Sequence, residues 1–144
     1  MSTRLHAALS ELTSQLQSRT LRVGFLSGAT YPDGKSVAQV AAYNEYGSPK
    51  RNRPPRPFFR QAIQTGQPTW GKKLAGALRA TGYDVDKALG MLGEDIAGEV
   101  RESITKFTSP ALAPATVARK GFAKPLVDTG MMLRSVSYEV SDGN

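Results

Sequence analysis

The sequence contains no cysteine and a single histidine, His6, among its 144 residues. Without cysteine there can be no disulfide framework, no thiolate zinc site, no iron–sulfur cluster and no cysteine nucleophile. A histidine-based metal site or a serine–histidine triad would depend on His6 alone. We therefore expect no catalytic, cofactor-binding or metal-binding residues, and we expect the protein not to be an enzyme.

Long apolar runs are also missing. The longest nearly apolar stretch, Val37 to Tyr43, is interrupted by Gln39 and is far too short to cross a membrane. Residues 1–20 include Arg4, Glu11 and Arg19 and lack the apolar core of a signal peptide. We expect a soluble protein that makes no membrane contact and is synthesised in a cytoplasm.

The composition is that of a globular protein with an excess of positive charge. Hydrophobic residues make up 40% and charged residues 22%, and 144 residues suit one domain with a core. Lysine and arginine number 19 against 12 acidic residues, a net charge of +7 that favours acidic partners or nucleic acid. Residues 48–73 contain seven basic and no acidic residues, whereas residues 84–102 contain six acidic and two basic ones. This segregation suits packing of one copy against another, and two solvated faces explain it equally well.

Apolar periodicity predicts several helices. Residues 2–18 and 36–46 have helical patterns, and residues 58–65 and 68–80 are predicted as two separate helices. The strongest pattern spans Asp84 to Thr105. Its apolar stripe comprises Val85, Leu89, Leu92, Ile96, Val100 and Ile104. The stripe of the first helix comprises Leu5, Leu9, Leu12 and Leu16.

Two strands are predicted, Leu21 to Ser27 and Leu133 to Ser141, the second with Val136, Tyr138 and Val140 on one face. Together the elements predict the α+β class, a small antiparallel sheet packed against the long helix of residues 84–105. The predicted organisation is an N-terminal helix over residues 1–19 followed by a single α+β domain over residues 20–144.

Two stretches of the chain do not fit a regular element. Residues 48–57 contain four prolines and four basic side chains, which predicts an extended basic arm rather than a helix or central strand. The arm also matches a proline-rich ligand pattern, although a stiff connector explains the prolines equally well. Residues 107–127 are predicted to be rich in loops.

Two short motifs resemble catalytic ones. Residues 29–36 fit a loose phosphate-loop pattern, but Pro32 has no N–H to donate and Asp33 would place a carboxylate beside a phosphate. A polar turn at Pro32-Asp33-Gly34 is the simpler interpretation. Asp128-Thr129-Gly130 matches the triplet of aspartic proteases, yet only 16 residues follow Asp128, so a helix cap is preferred.

The basic arm is followed by Phe58, Phe59 and Trp70, and basic residues interleaved with aromatics can bind single-stranded nucleic acid by stacking. Aromatics beside a helix start more often belong to the core, and we expect that role for Phe58 and Phe59.

A series of sequence blocks occurs in order from about residue 20 to the end. They are Val23-Gly24-Phe25, Tyr31-Pro32-Asp33-Gly34, Val37 to Gly47, Pro54 to Arg60, Thr116 to Gly121, Lys124 to Gly130 and Ser135 to Val140. The ordered set resembles the tail-completion, or neck, proteins of tailed bacteriophages, also described as virion morphogenesis or minor tail proteins.

The resemblance implies a structural virion protein at the head–tail junction. Such proteins are small α+β domains that form rings, typically of six copies, between head-connector or portal-side proteins and the tail-terminator or tail-tube proteins. The expected location is the virion neck or tail, and the host cytoplasm during assembly, with passing contact to phage DNA. No cofactor is implied.

Eight residues are predicted to contact partners: Glu45, Tyr46, Arg53, Arg56, Arg60, Arg119, Lys120 and Arg134. The alternative function is that of a basic nucleic-acid-binding protein, because charge alone does not separate a protein partner from DNA.

Overall fold

A computed structural model describes residues 3–25, 28–48, 50, 54–107 and 129–143. The elements in chain order are α1 (Thr3–Gln17), β1 (Arg19–Phe25), α2 (Val37–Tyr46), α3 (Phe58–Ala80), α4 (Val85–Lys106), α5 (Thr129–Ser135) and β2 (Val136–Asp142).

Helix α4 is the central element, and it follows the sequence prediction closely. The helix begins after Asp84, whose side chain accepts a hydrogen bond from the backbone N–H of Lys87 at 3.2 Å. All six residues of the predicted apolar stripe are buried. One side of α4 packs on α3 and another on the two strands, so its apolar face is covered.

Helix α3 is one continuous helix that contains Pro68, so the prediction of two separate helices is wrong. Contacts with α4 support α3 on both sides of the proline. Before it, Phe58 and Ala62 belong to the core; after it, Trp70 donates a hydrogen bond to Glu99 of α4. Packing along a neighbouring helix offsets the loss of one backbone donor, a compensation that local sequence does not reveal.

The connection from α3 to α4 is tight because of a glycine. Gly82 has a φ of 65°, and its N–H bonds to Arg79 O while the N–H of Tyr83 bonds to Leu78 O at 2.7 Å. This is the Schellman arrangement that satisfies the last carbonyls of a helix. The turn lays α4 back along α3.

Within the part of the chain that the structure describes, the sheet has two antiparallel strands, with register from Arg19 opposite Asp142 to Phe25 opposite Val136. It packs on α4 at Gly93, where a Cβ atom would lie 2.6 Å from Cδ2 of Tyr138. The missing side chain therefore allows the sheet to approach. The prediction of an α+β fold with a long helix against a small antiparallel sheet is confirmed.

The strand boundaries differ from the prediction. Strand β1 begins two residues earlier, at Arg19. The predicted second strand is wrong over Leu133 to Ser135, because those residues form the end of α5. The Arg101 guanidinium of α4 donates to the carbonyls of Leu133 at 3.3 Å and Val136 at 2.8 Å, which satisfies backbone acceptors where the helix changes into the strand.

Among the described residues, two clusters of buried side chains form the core. The larger one joins β1, α2, α3, α4, α5 and β2, and contains Tyr31, Val37, Phe58, Ile104, Met132 and Val136 among others. The smaller one lies where α3 ends and α4 begins, and Leu12 and Leu16 of α1 pack against it. Of the predicted loop over residues 107–127, only Phe107 lies within the described residues.

Candidate functional site

The site is built on α2, whose ends are fixed by local sequence. Ser36 caps its start by accepting a hydrogen bond from the N–H of Gln39 at 3.3 Å. Gly47 ends it with a φ of 71° and donates its N–H to Tyr43 O at 2.8 Å. The positive φ is one that glycine adopts at little cost. Residues of α2 near this end are therefore held in defined positions.

Glu45, near the end of α2, is buried and caps a different helix. Its carboxylate accepts hydrogen bonds from the backbone N–H groups of Phe59 at 2.8 Å and Arg60 at 3.1 Å. These groups are at the start of α3, where Pro57 offers no side-chain cap. A carboxylate at a helix N-terminus satisfies free donors and the positive end of the helix dipole. Glu45 thus joins α2 to α3.

Arg60 stabilises the same α2–α3 junction from the protein surface. Its Nε donates to the Glu45 carboxylate at 2.8 Å, and one terminal nitrogen donates to the Glu45 backbone carbonyl at 2.8 Å. The guanidinium carbon lies 4.9 Å from the ring centroid of Tyr46, in cation–π geometry. The guanidinium is therefore held over the tyrosine ring at the protein surface.

Two tyrosines of α2 are the most exposed large hydrophobic side chains in the described chain. Tyr43 is 68% exposed and Tyr46 is 66% exposed. They are three residues apart, so they are neighbours on the helix surface. Beside them, Asn44 O accepts the backbone N–H of Arg56 at 2.7 Å, which fixes the arm against α2.

We call this surface the α2–α3 corner. It comprises Tyr43, Tyr46, Pro54, Pro55, Arg56 and Arg60, with Glu45 beneath it. Its exposed groups are two phenol rings, two prolines and the Arg60 side chain, and Arg56 is half-buried. Such a surface can bind another molecule by stacking and hydrogen bonding, which is the chemistry of protein–protein contacts rich in tyrosine and arginine.

The structure brings together four of the eight predicted contact residues, Glu45, Tyr46, Arg56 and Arg60. Glu45 differs from the other three because it is buried. It stabilises the corner from beneath and is not placed to contact a partner directly. Arg134 is exposed on α5, a helix that contacts α2, and its side chain lies against Met131. The remaining predicted contacts, Arg53, Arg119 and Lys120, lie outside the described residues.

Tyr43 and the two exposed prolines were not predicted from the sequence as parts of the site. The signal for Tyr43 was present, because a tyrosine three positions before Tyr46 must share its face of α2. The signal for Pro54 and Pro55 was not, because only the folded chain places the arm beside α2.

The phosphate-loop look-alike forms a closed turn. Within it, Gly34 N–H donates to Tyr31 O, Tyr31 N–H to Lys35 O and Val37 N–H to Ala29 O, each at 2.9 to 3.0 Å. The Asp33 carboxylate accepts the N–H of Lys35 at 3.0 Å. These donors are occupied within the loop. The other look-alike residue, Asp128, lies outside the described residues.

The aromatics that follow the arm have structural contacts. Phe58 is buried and meets Phe25 edge to face, with ring centroids 6.1 Å apart. Phe59 is partly buried against the same cluster, as expected, and Trp70 donates Nε1 to Glu99 at 3.0 Å. These three rings do not form an exposed stacking surface.

Some of the segregated basic and acidic residues pair with each other within the chain. Lys73 of α3 forms ion pairs with Glu99 at 2.8 Å and Asp95 at 2.9 Å on α4. The hydrogen bond to Glu99, followed by that to Asp95, raises the pKa of Lys73 above its ordinary value. The basic end of residues 48–73 is thus paired with the acidic face of α4 in the same molecule.

Among residues 3–25, 28–48, 50, 54–107 and 129–143, no group of three or more histidine, aspartate or glutamate side chains is placed to hold a metal ion. Within the same residues, no helix is both long and apolar enough to span a membrane. Comparisons of the chain with models of protein families, with curated proteins and with solved structures each found no match.

Proposed function

We propose that this chain is a structural virion protein of a tailed bacteriophage, which assembles as a ring, typically of six copies, at the head–tail junction and docks between head-connector and tail proteins. The resemblance of its ordered sequence blocks to tail-completion proteins suggests this role. On this proposal the protein acts by association, without a cofactor, in the virion and in the host cytoplasm during assembly.

The observation that carries the proposal is the α2–α3 corner. Two of the blocks that carry the resemblance, Val37 to Gly47 and Pro54 to Arg60, are joined there by the Glu45 carboxylate. Other blocks contribute Phe25, Tyr31 and Val136 to the core cluster beneath. The blocks therefore support one structural unit with an exposed aromatic surface, as a docking protein requires.

At Arg60, the electrostatics of the corner favour a protein partner over a phosphate. Glu45 already compensates the charge of Arg60, and its carboxylate holds the guanidinium on Tyr46. A phosphate bound to Arg60 would lie close to that carboxylate and would be repelled by its negative charge. A protein surface can instead use the exposed tyrosine rings and the unoccupied edge of the guanidinium.

The alternative, binding to nucleic acid, is supported by the net charge of +7. Five of the basic residues and one of the acidic residues that make up this charge lie outside the described residues. Titration with duplex DNA at several salt concentrations tests it. Binding that weakens steeply as salt rises would favour the alternative, because released counterions drive such complexes.

The main test is a particle assembly assay in the phage that encodes the chain. With Tyr46→Ser, we expect unjoined heads and tails in electron micrographs and a fall in infectious titre. Met91→Ser is the matched control, because Met91 is also exposed, at 49%, but lies on α4. Normal joined particles in the complete absence of the protein would refute the proposal.

A further inference from the structure

The α2–α3 corner carries two chemically complementary elements side by side. One is the tyrosine ridge, Tyr43 and Tyr46 on α2. The other is the proline segment, residues 54–57 (Pro-Pro-Arg-Pro), of which Pro54 and Pro55 are exposed. The bond from Arg56 N–H to Asn44 O places the segment directly beside the ridge.

Exposed aromatic side chains and proline-rich segments bind each other in many protein complexes. Extended proline-rich chains dock on aromatic surfaces because their backbone is already rigid, so little conformational entropy is lost on binding. Here the prolines do not cover the rings of their own chain, since both tyrosines remain about two-thirds exposed. Each element is therefore free to meet its counterpart on another molecule.

We infer that the corner is self-complementary, and that two copies of the chain associate about a two-fold axis. In this contact Tyr43 and Tyr46 of each copy pack on Pro54 and Pro55 of the other. A patch that contains both halves of a complementary pair makes both contacts at once when it meets itself, which is an isologous interface. The inference does not depend on the proposed virion role.

The cation–π pair prepares the ridge for this contact. Arg60, bonded to Glu45, holds the ring of Tyr46 from one side and leaves two-thirds of the residue exposed. An aromatic ring that is already fixed loses little freedom when it is covered by a partner. Glu45 compensates Arg60. Arg56 has no ion pair among the described residues, so each copy also brings the charge of Arg56 close to the contact, and added salt should weaken this repulsion.

The size of the contact predicts weak association. The exposed surface of the two tyrosines and the two prolines amounts to roughly 300–400 Å² per copy. A stable complex buries ~800 Å² per partner, about twice that area. We expect a dissociation constant on the order of 0.1–1 mM, so the chain is largely monomeric at micromolar concentration. The rings and prolines that meet are apolar and salt screens the Arg56 charges beside them, so the association should persist or strengthen at about 0.5 M salt.

Sedimentation equilibrium up to about 1 mM tests the inference. The double variant Tyr43→Ser/Tyr46→Ser and the double variant Pro54→Ser/Pro55→Ser should each bind itself about tenfold or more weakly than the original chain. Tyr83→Ser is the matched control, since Tyr83 is 55% exposed at the opposite end of α3 and should leave association unchanged. Far-ultraviolet circular dichroism of each variant confirms that the fold is retained.

Mixing the two double variants gives the sharpest result. One supplies an intact proline segment and the other an intact tyrosine ridge, so a mixed pair regains one half of the contact. We expect the mixture to associate more strongly than either variant alone. Three results would overturn the inference: no association of the original chain at 1 mM, a mixture no stronger than its components, or loss of association at high salt.

Discussion

Helices α1 and α4 carry the same kind of apolar stripe but differ in what covers it. All six stripe residues of α4 are buried, whereas α1 has no buried residue. Along α1, Leu12 and Leu16 pack on the smaller core cluster, while Leu5 and Leu9 are 49% and 46% exposed. Periodicity thus identifies which face of a helix is apolar, but only the packing of other elements determines whether that face contributes to stability.

The largest effect should come from the covered stripe. Ile104→Ala removes a side chain with no exposed surface and should lower the free energy of unfolding by about 2–5 kcal/mol, through lost burial and the cavity left behind. Leu9→Ala, in the stripe of α1, should change it by at most about 0.5 kcal/mol. Guanidinium denaturation measures both, and equal losses would contradict the comparison.

The two sides of α4 can be compared through its glycines. A Cβ at Gly93 would lie 2.6 Å from Tyr138 and 2.9 Å from Leu21, so Gly93→Ala should destabilise the protein by about 1–3 kcal/mol. A Cβ at Gly98 meets nothing within 4 Å, so Gly98→Ala should stabilise it by about 0.5–1 kcal/mol. Thermal unfolding of both variants should show shifts of opposite sign; shifts of the same sign would show that the sheet does not press on α4.

Helix α1 can be divided in the same way. Leu16→Ala removes a side chain that packs on the smaller cluster and should cost about 1–2 kcal/mol. Leu5→Ala should cost at most about 0.5 kcal/mol. Urea denaturation of the two variants measures the difference. A larger loss at Leu5 would mean that the exposed half of the stripe is covered in solution.

The smallest effect concerns the ion pairs that join α3 to α4. Since the folded state raises the pKa of Lys73 above 10.5, this lysine stabilises the protein fully below that pH and loses its contribution as the pH rises through the folded value. The side chain is 39% exposed, so we expect less than about 1 kcal/mol. Melting temperatures of the original chain and Lys73→Met should converge as the pH rises through the raised pKa of Lys73. A constant difference between them at all pH values would contradict this assignment.

The candidate site was predicted in part. The residues Tyr46, Arg56 and Arg60 could be selected from sequence because they belong to blocks with a recognisable order. The role of Glu45 could not, since its partners Phe59 and Arg60 lie 14 and 15 residues further along the chain. From sequence alone a glutamate is expected to be exposed, because burying a charged carboxylate costs free energy unless hydrogen-bond donors compensate it. Those donors are known only once the chain has folded.

The sequence by itself determined the features that depend on nearest neighbours along the chain. These are the caps at Ser36 and Asp84, the apolar face of α4, the turn at Pro32-Asp33-Gly34 and the absence of thiol chemistry. Each follows from side chains within a few residues of one another, whose geometry is set by the helical repeat or by turn preferences.

Tertiary structure alone decided three features: the continuity of α3 through Pro68, the helical conformation of residues 133–135 before β2, and the assembly of the α2–α3 corner. In each case the deciding partner is distant in sequence: Glu99 for α3, Arg101 for α5 and Glu45 for the corner. A local preference is worth about 1 kcal/mol or less for most residues, and about 3 kcal/mol for a proline inside a helix. The hydrogen bonds and packed contacts that form on folding together outweigh it.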